Sequence, residues 1–179
     1  MFAEAPSGAT PSGVTQDTTW SLKGTYDQCV PHTYISSLFH IVFSTKERIP
    51  LIPTDLQPRL WNYLSAIGRN HGVRVLAIGG TDNHVHILLV LPADQKLADV
   101  VRTLKCNSSR WVREADRRFC WQEGYGAFSV SPSQLKAVER YIARQAEHHQ
   151  RRTFEQELLA MLQAANMRFQ PDPTSRCRP

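Results

Sequence analysis

The sequence predicts an α+β fold, an antiparallel sheet with helices packed on it. Three observations carry that prediction. Short runs rich in β-branched and large apolar residues, bounded by Gly, Pro, Asn and Asp, mark strands near residues 34–43, 73–78 and 85–90. Between and after them, apolar residues recur at the three-and-four spacing of helices. The resulting order is strand, helix, strand, strand, helix, strand, helix, in which two strand–helix–strand crossovers flank a hairpin.

From Tyr34 to Phe43 the chain reads as the first strand. Ile35, Phe39, Ile41 and Phe43 share one face, and Leu38, His40 and Val42 share the other, so His40 interrupts an apolar pattern. It reads either as a core-edge histidine with a hydrogen-bond partner or as a polar neighbour of a site on that face. Ser44–Thr45–Lys46–Glu47–Arg48 is a polar turn carrying two cations. Thr54–Asp55–Leu56–Gln57 fits a capping box, in which hydroxyl and amide each cover an orphan backbone N–H. The helix it opens runs through Leu60, Trp61, Leu64 and Ile67 and stops at Gly72.

Val73–Ile78 is the second strand. Gly79–Gly80 and Asp82–Asn83 read as turn residues that close a hairpin onto the third strand, the apolar run from Val85 that ends before Pro92. Leu97 to Ala115 is the second helix, with Leu97, Val100, Val101, Leu104 and Trp111 on or near one stripe. Its other faces carry Arg102, Lys105, Arg110 and Arg113, which read as a solvated face or as a track for phosphates. A loop with Trp121, Tyr125 and Phe128, aromatics suited to packing or to base stacking, leads into a short fourth strand near Ala127–Val130. Ser131–Pro132–Ser133–Gln134 fits a second capping box, with proline at the first helical position, for a third helix reaching about His149. Thr153–Phe154–Glu155–Gln156 starts a fourth helix through Leu158, Leu159 and Leu162. This order is that of a ferredoxin-like antiparallel sheet, with the first and third strands as central neighbours. The first two helices then cover the Phe39/Ile41/Val85/Ile87 face, and the His40/His84/His86 face is left for something else to cover.

Within 179 residues there is room for one domain and tails. Residues 1–30, rich in Ser, Thr, Gly, Pro and Ala, read as a disordered arm, and 170–179 as a flexible Pro/Arg tail. Between them lie a domain over 31–150 and a C-terminal helix over 151–169. Apolar content of 41% and charged content of 21% suit a fold with a real core. A net charge of +5 and a pI near 9.2 permit a nucleic-acid partner without demanding one. The four cysteines, Cys29, Cys106, Cys120 and Cys177, form no CxxC pair, which fits free thiols in a reducing cytoplasm. The N-terminus has neither the basic start nor the apolar run of a signal peptide, and no apolar stretch approaches the ~20 residues of a membrane span.

The chain is organised around Asp82–Asn83–His84–Val85–His86–Ile87–Leu88–Leu89–Val90. Side chains alternate along a strand, so His84 and His86 point the same way while Val85, Ile87 and Leu89 point into a core. Two imidazoles about 7 Å apart along a strand face can share a metal ion. A second stretch, Glu139–Arg140–Tyr141–Ile142–Ala143–Arg144–Gln145, sets Tyr141 and Gln145 one helical turn apart on one face.

Together these residues resemble the single-tyrosine transposases of the His-hydrophobe-His superfamily, which comprise the insertion-sequence 200/605 group and the REP-associated tyrosine transposases. The resemblance covers roughly Tyr34 to Glu157. It is carried by His40–Ile41–Val42–Phe43–Ser44–Thr45–Lys46, Gly79–Gly80, Asn83–His84–Val85–His86–Ile87–Leu88, Trp121–Gln122–Glu123–Gly124–Tyr125–Gly126 and Tyr141–Ile142–Ala143–Arg144–Gln145. The family often has Asp before the first histidine; here Asn83 stands there.

The resemblance implies a DNA endonuclease and strand transferase acting as a homodimer on single-stranded or hairpin DNA. His84 and His86 would hold a divalent ion, Mg or Mn, with Gln145 as third ligand. Tyr141 would attack a phosphodiester, giving a 5′-phosphotyrosine and a free 3′-hydroxyl. Lys46, Lys105 and Arg110 are the cations expected to meet DNA, and His40 is a neighbour of the site. Three other readings stand beside this one. A metal-dependent hydrolase would need a carboxylate cluster that the sequence does not display. A non-catalytic nucleic-acid module would survive loss of Tyr141. A domesticated REP-associated member would cleave chromosomal repeats without moving itself.

Overall fold

The structure, a computed structural model, describes residues 34–149 and 153–168. The arm expected over 1–30 and the tail over 170–179 lie outside these residues. Among the described residues four strands form one antiparallel sheet: β1 (Leu38–Ser44), β2 (Arg74–Gly80), β3 (His84–Val90) and β4 (Gly126–Ser129), in the order β2-β3-β1-β4. Five α-helices lie among the same residues: α1 (Gln57–Asn70), α2 (Leu97–Arg113), α3 (Leu135–Ala143), α4 (Gln145–His148) and α5 (Phe154–Ala164). This is the expected α+β, ferredoxin-like arrangement, with β1 and β3 central.

Register decides which residues share a face. In the β1–β3 ladder Ile41 opposes Ile87, Phe43 opposes Val85 and Ser44 opposes His84; His40 opposes Leu88 on β3 and Phe128 on β4. Opposed residues in an antiparallel ladder point the same way. The Ile41/Phe43/Val85/Ile87/Leu89 face is buried under Leu60, Leu64 and Ile67 of α1 and Val100, Val101 and Leu104 of α2, as expected. Each of these side chains, fully buried, contributes about 1.5–3 kcal/mol relative to exposure.

The histidine face is closed within the single chain. His40 is 5% exposed, and His84 and His86 are 0% exposed. Helix α3 packs against β2 and β3, and Phe154 and Glu157 of α5 are buried beside the histidines. The expectation that this face is poorly covered is therefore corrected: the last helix, which the sequence shows only as an appended element, folds back over it.

Several local expectations also change. β1 begins at Leu38, and Tyr34 and Ile35 are 93% and 52% exposed, so the first residues of the predicted strand are outside the sheet. Gly79 and Gly80 are strand residues in β2, paired with His86 and Val85; the hairpin turns at 81–83. Neither Thr54 nor Ser131 builds a capping box. The carbonyl of Pro53 accepts from the Leu56 and Gln57 N–H groups, and the Gln57 amide donates to the Ile52 carbonyl instead. Ser131 precedes a 3₁₀ turn closed through its own carbonyl, with its hydroxyl bonded to that of Ser133. The Thr153 box forms in full. The expected helix to His149 is broken at Arg144 (φ −104°, ψ 19°), where the Arg144 N–H bonds one residue short, to the Tyr141 carbonyl.

Candidate metal and nucleophile centre

The centre is assembled from β1, β3, α3, α4 and α5. His84 opens β3 next to the hairpin turn, and its Nδ1 lies 2.7 Å from Asn83 Oδ1 and 2.9 Å from Thr81 Oγ1. A proton on Nδ1 donated to the Asn83 carbonyl oxygen leaves the Nε2 lone pair facing inward. Asn83, in the position where the resembling family often has Asp, thus orients the imidazole. His86 Nδ1 lies 2.9 Å from His40 Nε2, with the two rings 5.1 Å apart. His40 is accordingly both things the sequence left open, a buried histidine with a hydrogen-bond partner and a neighbour of the site. It holds His86 so that Nε2 also faces inward.

Three buried atoms in the centre make no hydrogen bond: His84 Nε2, His86 Nε2 and Gln145 Oε1. Buried polar atoms are nearly always paired, so three buried lone-pair donors left open in this cluster are what a metal ion would complete. The charge state agrees. Burial, reinforced by the neighbouring His86, lowers the pKa of His84 to about 2 and that of His40 to about 3; burial, with His149 and His148 nearby, lowers that of His86 to about 3. The imidazoles are neutral at pH 7 and available as ligands.

Helices α3 and α4 bring Tyr141 and Gln145 to the same place, although the break at Arg144 separates them. The Tyr141 ring stands edge-on to His86 at 5.9 Å and to His40 at 6.0 Å. Its hydroxyl donates to Glu157 Oε1, and Gln145 Nε2 donates to the same oxygen at 3.0 Å. The other oxygen, Oε2, lies 2.7 Å from His149 Nε2, 3.5 Å from His86 Nε2 and 3.7 Å from His84 Nε2. Burial raises the Glu157 carboxyl to about 7. His84, His86, His149 and Glu157 each offer a donor atom within 4.8 Å of the others, a group that can hold a metal ion.

Glu157 and His149 were missed in the sequence. For Glu157 the signal was present: it shares the helical stripe of Phe154 and Met161, and a carboxylate on an apolar stripe calls for a buried partner. Helix α5 is fixed over the centre by Phe154, stacked on His84 with centroids 4.5 Å apart, and by an ion pair between Arg48 and Glu155. Beside it opens a cleft of about 780 Å³ lined in part by Gln57, Asp82, Asn83, His149 and Gln156.

The expected DNA-binding cations are not gathered at the centre. Lys46 is exposed where β1 ends, at the His84 end of the sheet. Arg110 is exposed on α2, which covers the opposite face. Lys105 points its ammonium at the carbonyls of Gln122 and Gly124, both at 2.6 Å, over the Phe43 ring. It braces the aromatic loop. Trp121 in that loop is buried between Phe43 and Phe119, with its indole N–H donating to Ser108, so it packs instead of offering a face to bases. Among the described residues no helix is long and apolar enough to cross a membrane.

Comparisons with known proteins agree with one another. A family model described as an IS200-like transposase matches residues 33–145. The chain is 24% identical over 115 residues to the ISDra2 transposase TnpA of Deinococcus radiodurans, covering 60% of this chain and 82% of that protein. A crystal structure described as a transposase from Deinococcus radiodurans aligns with a TM-score of 0.54 at 22% identity, over 67% of this chain and 98% of that one. A REP-associated tyrosine transposase bound to a REP hairpin aligns with a TM-score of 0.52 at 16% identity, over 69% of this chain and 74% of that one. Both structures share the fold.

Proposed function

Because the chain belongs to the IS200-like transposase family, we propose that it cleaves and rejoins single-stranded or hairpin DNA through a covalent bond to Tyr141. The observation that carries this reading is the set of open donor atoms on His84, His86 and Gln145, buried beside the Tyr141 ring. Two neutral imidazoles and an amide would hold a divalent ion, Mg or Mn, that when bound would polarise a phosphate oxygen and stabilise the charge developing on it. His40 and Asn83 orient the two imidazoles. Tyr141 supplies the nucleophile from a helix, which holds the hydroxyl in place better than a loop. Its oxygen forms a bond to phosphorus as the bond from phosphorus to the 3′-oxygen breaks. The phenolic proton leaves Tyr141, and a proton is taken up by the departing 3′-oxygen. The phosphotyrosine conserves the bond for rejoining to a second 3′-hydroxyl. Glu157, now bonded to the hydroxyl, shares the space around it.

Lys46, at the His84 end of the sheet, is the proposed phosphate contact, with Arg110 a more distant one; Lys105 serves the loop. A hairpin substrate is supported by the fold shared with a protein solved on a REP hairpin. The working unit is proposed to be residues 31–150 with the helix of 151–169, acting in the cytoplasm as a homodimer.

Tyr141→Phe tests the reaction. The variant is expected to keep its fold and DNA binding and to lose both cleavage of a hairpin-bearing oligonucleotide and the covalent adduct. Peptide mass mapping that finds the DNA on Tyr125, or full cleavage by Tyr141→Phe, overturns the assignment. Binding without any adduct in the unaltered protein favours a non-catalytic module.

A further inference from the structure

We propose that Glu157 of α5 is itself a ligand of the metal centre, so that a carboxylate oxygen joins His84 Nε2, His86 Nε2 and Gln145 Oε1 around the ion. This rests on the metal-dependent reading above and adds to it a donor that Tyr141, Gln145 and the strand motif do not contain. Glu157 Oε2 lies 3.5 Å from His86 Nε2 and 3.7 Å from His84 Nε2. These separations exceed hydrogen-bond lengths of about 2.7–3.2 Å. They are close to the edge of a tetrahedron of ligands bound at about 2.0–2.1 Å, which is roughly 3.3–3.4 Å. Oε2 is thus spaced from each imidazole nitrogen about as a fellow ligand of one ion would be.

The surroundings of the carboxylate support the same assignment. Glu157 is 2% exposed. A carboxylate is buried at a cost of several kcal/mol unless a cation or several donors face it. Here the donors act as an orienting shell. Gln145 Nε2 at 3.0 Å and the Tyr141 hydroxyl hold Oε1, and His149 Nε2 at 2.7 Å holds Oε2. This turns Oε2 toward the two imidazoles. Arg48 and Phe154 anchor the helix that carries it.

Two consequences follow for ligand class and geometry. A carboxylate beside the amide makes the site about half oxygen, which suits Mg and Mn, while the two imidazoles favour Mn of the two. And one side chain touches both the nucleophile and the ion, so α5 sets the distance between them.

The test uses the full chain without DNA. Mn²⁺ binding is followed by electron paramagnetic resonance, with Mg²⁺, Co²⁺ and Zn²⁺ as competitors, and the absorption bands of bound Co²⁺ report the ligands. Glu157→Gln is expected to bind Mn²⁺ at least ~10-fold more weakly and to shift the Co²⁺ bands. Asp99→Asn, which removes a carboxylate paired with Arg102 on α2 across the sheet, is expected to change neither. Glu157→Asp, which keeps a carboxylate, is expected to fall between the unaltered chain and Glu157→Gln. Unchanged or tighter binding by Glu157→Gln overturns the proposal and makes Glu157 a cover that competes with the ion. If the unaltered chain binds none of these ions, the metal reading itself fails together with this one. Loss of binding in His84→Ala with binding intact in Glu157→Gln leaves the metal reading standing and removes only the carboxylate.

Discussion

Gly79 lies directly against the backbone of Ile142: a Cβ on Gly79 would meet the Ile142 carbonyl oxygen at 2.2 Å. Gly79 also pairs with His86 across the β2–β3 ladder. The missing side chain therefore lets the helix bearing Tyr141 settle onto the sheet next to His86. Gly79→Ala is expected to push α3 outward. Overpacking of this kind costs about 1–3 kcal/mol, and a nucleophile displaced by about 1 Å loses on the order of 100-fold in rate. Urea unfolding and single-turnover cleavage measure the two effects; unchanged values in both refute the docking argument.

Lys105 and Lys46 are expected to separate a loop brace from a phosphate contact. Lys105→Ala leaves the carbonyls of Gln122 and Gly124 without their donor and is expected to cost about 1–2 kcal/mol of stability. The salt dependence of DNA binding should not change. Lys46→Ala should leave stability alone and reduce the salt slope by about one counterion. Fluorescence anisotropy across a salt series decides it, and the reverse pattern would restore Lys105 to the phosphate track.

The metal-free chain is expected to gain stability as pH rises from 4.5 and to level off above neutrality, because three imidazoles outweigh one carboxyl. His40, His84 and His86 are lowered from 6.5 to about 3, 2 and 3 by burial. Their contribution is complete above 6.5 and is lost as pH falls, because the unfolded chain takes protons that the fold refuses. Glu157, raised from 4.5 to about 7, acts in the opposite sense: its contribution is complete below 4.5 and is lost as pH rises through 7. Between 4.5 and 6.5 the unfolded chain thus binds about two more protons than the fold, a limiting slope of ~2.7 kcal/mol per pH unit. Glu157→Gln should steepen this acid limb and enlarge the total rise in stability across it. Denaturation midpoints that do not change between pH 5 and 7 would contradict neutral buried imidazoles.

The proposed homodimer has the sheet edges to form through, since the histidine face is closed within one chain. The sheet order leaves β2 and β4 at the edges, and an edge is a natural place for a second chain to add its own strand. Sedimentation equilibrium at micromolar concentration is expected to show a dimer. A monomer there, with full cleavage activity, would remove dimerisation from the proposal.

The sequence by itself determined the element order, the sheet topology and the strand carrying His84 and His86. These follow from local periods, two for strands and 3.6 for helices, and from turn residues between them. It also placed Tyr141 and Gln145 within one turn of each other, and the structure keeps them together across the break at Arg144. What it could not show was decided at long range. Gly79 and Gly80 look like turn residues until β3 pairs with them and α3 packs on Gly79. Lys105 looks like a solvated cation until a loop distant in sequence brings two carbonyls to it. Thr54 fits a cap that the Pro53 carbonyl supplies instead. Glu157 is the clearest case. Its place on an apolar stripe says that it is buried, but a helical period says nothing about which partner it meets. Only the return of α5 across the sheet sets its carboxylate among His84, His86, Gln145 and Tyr141.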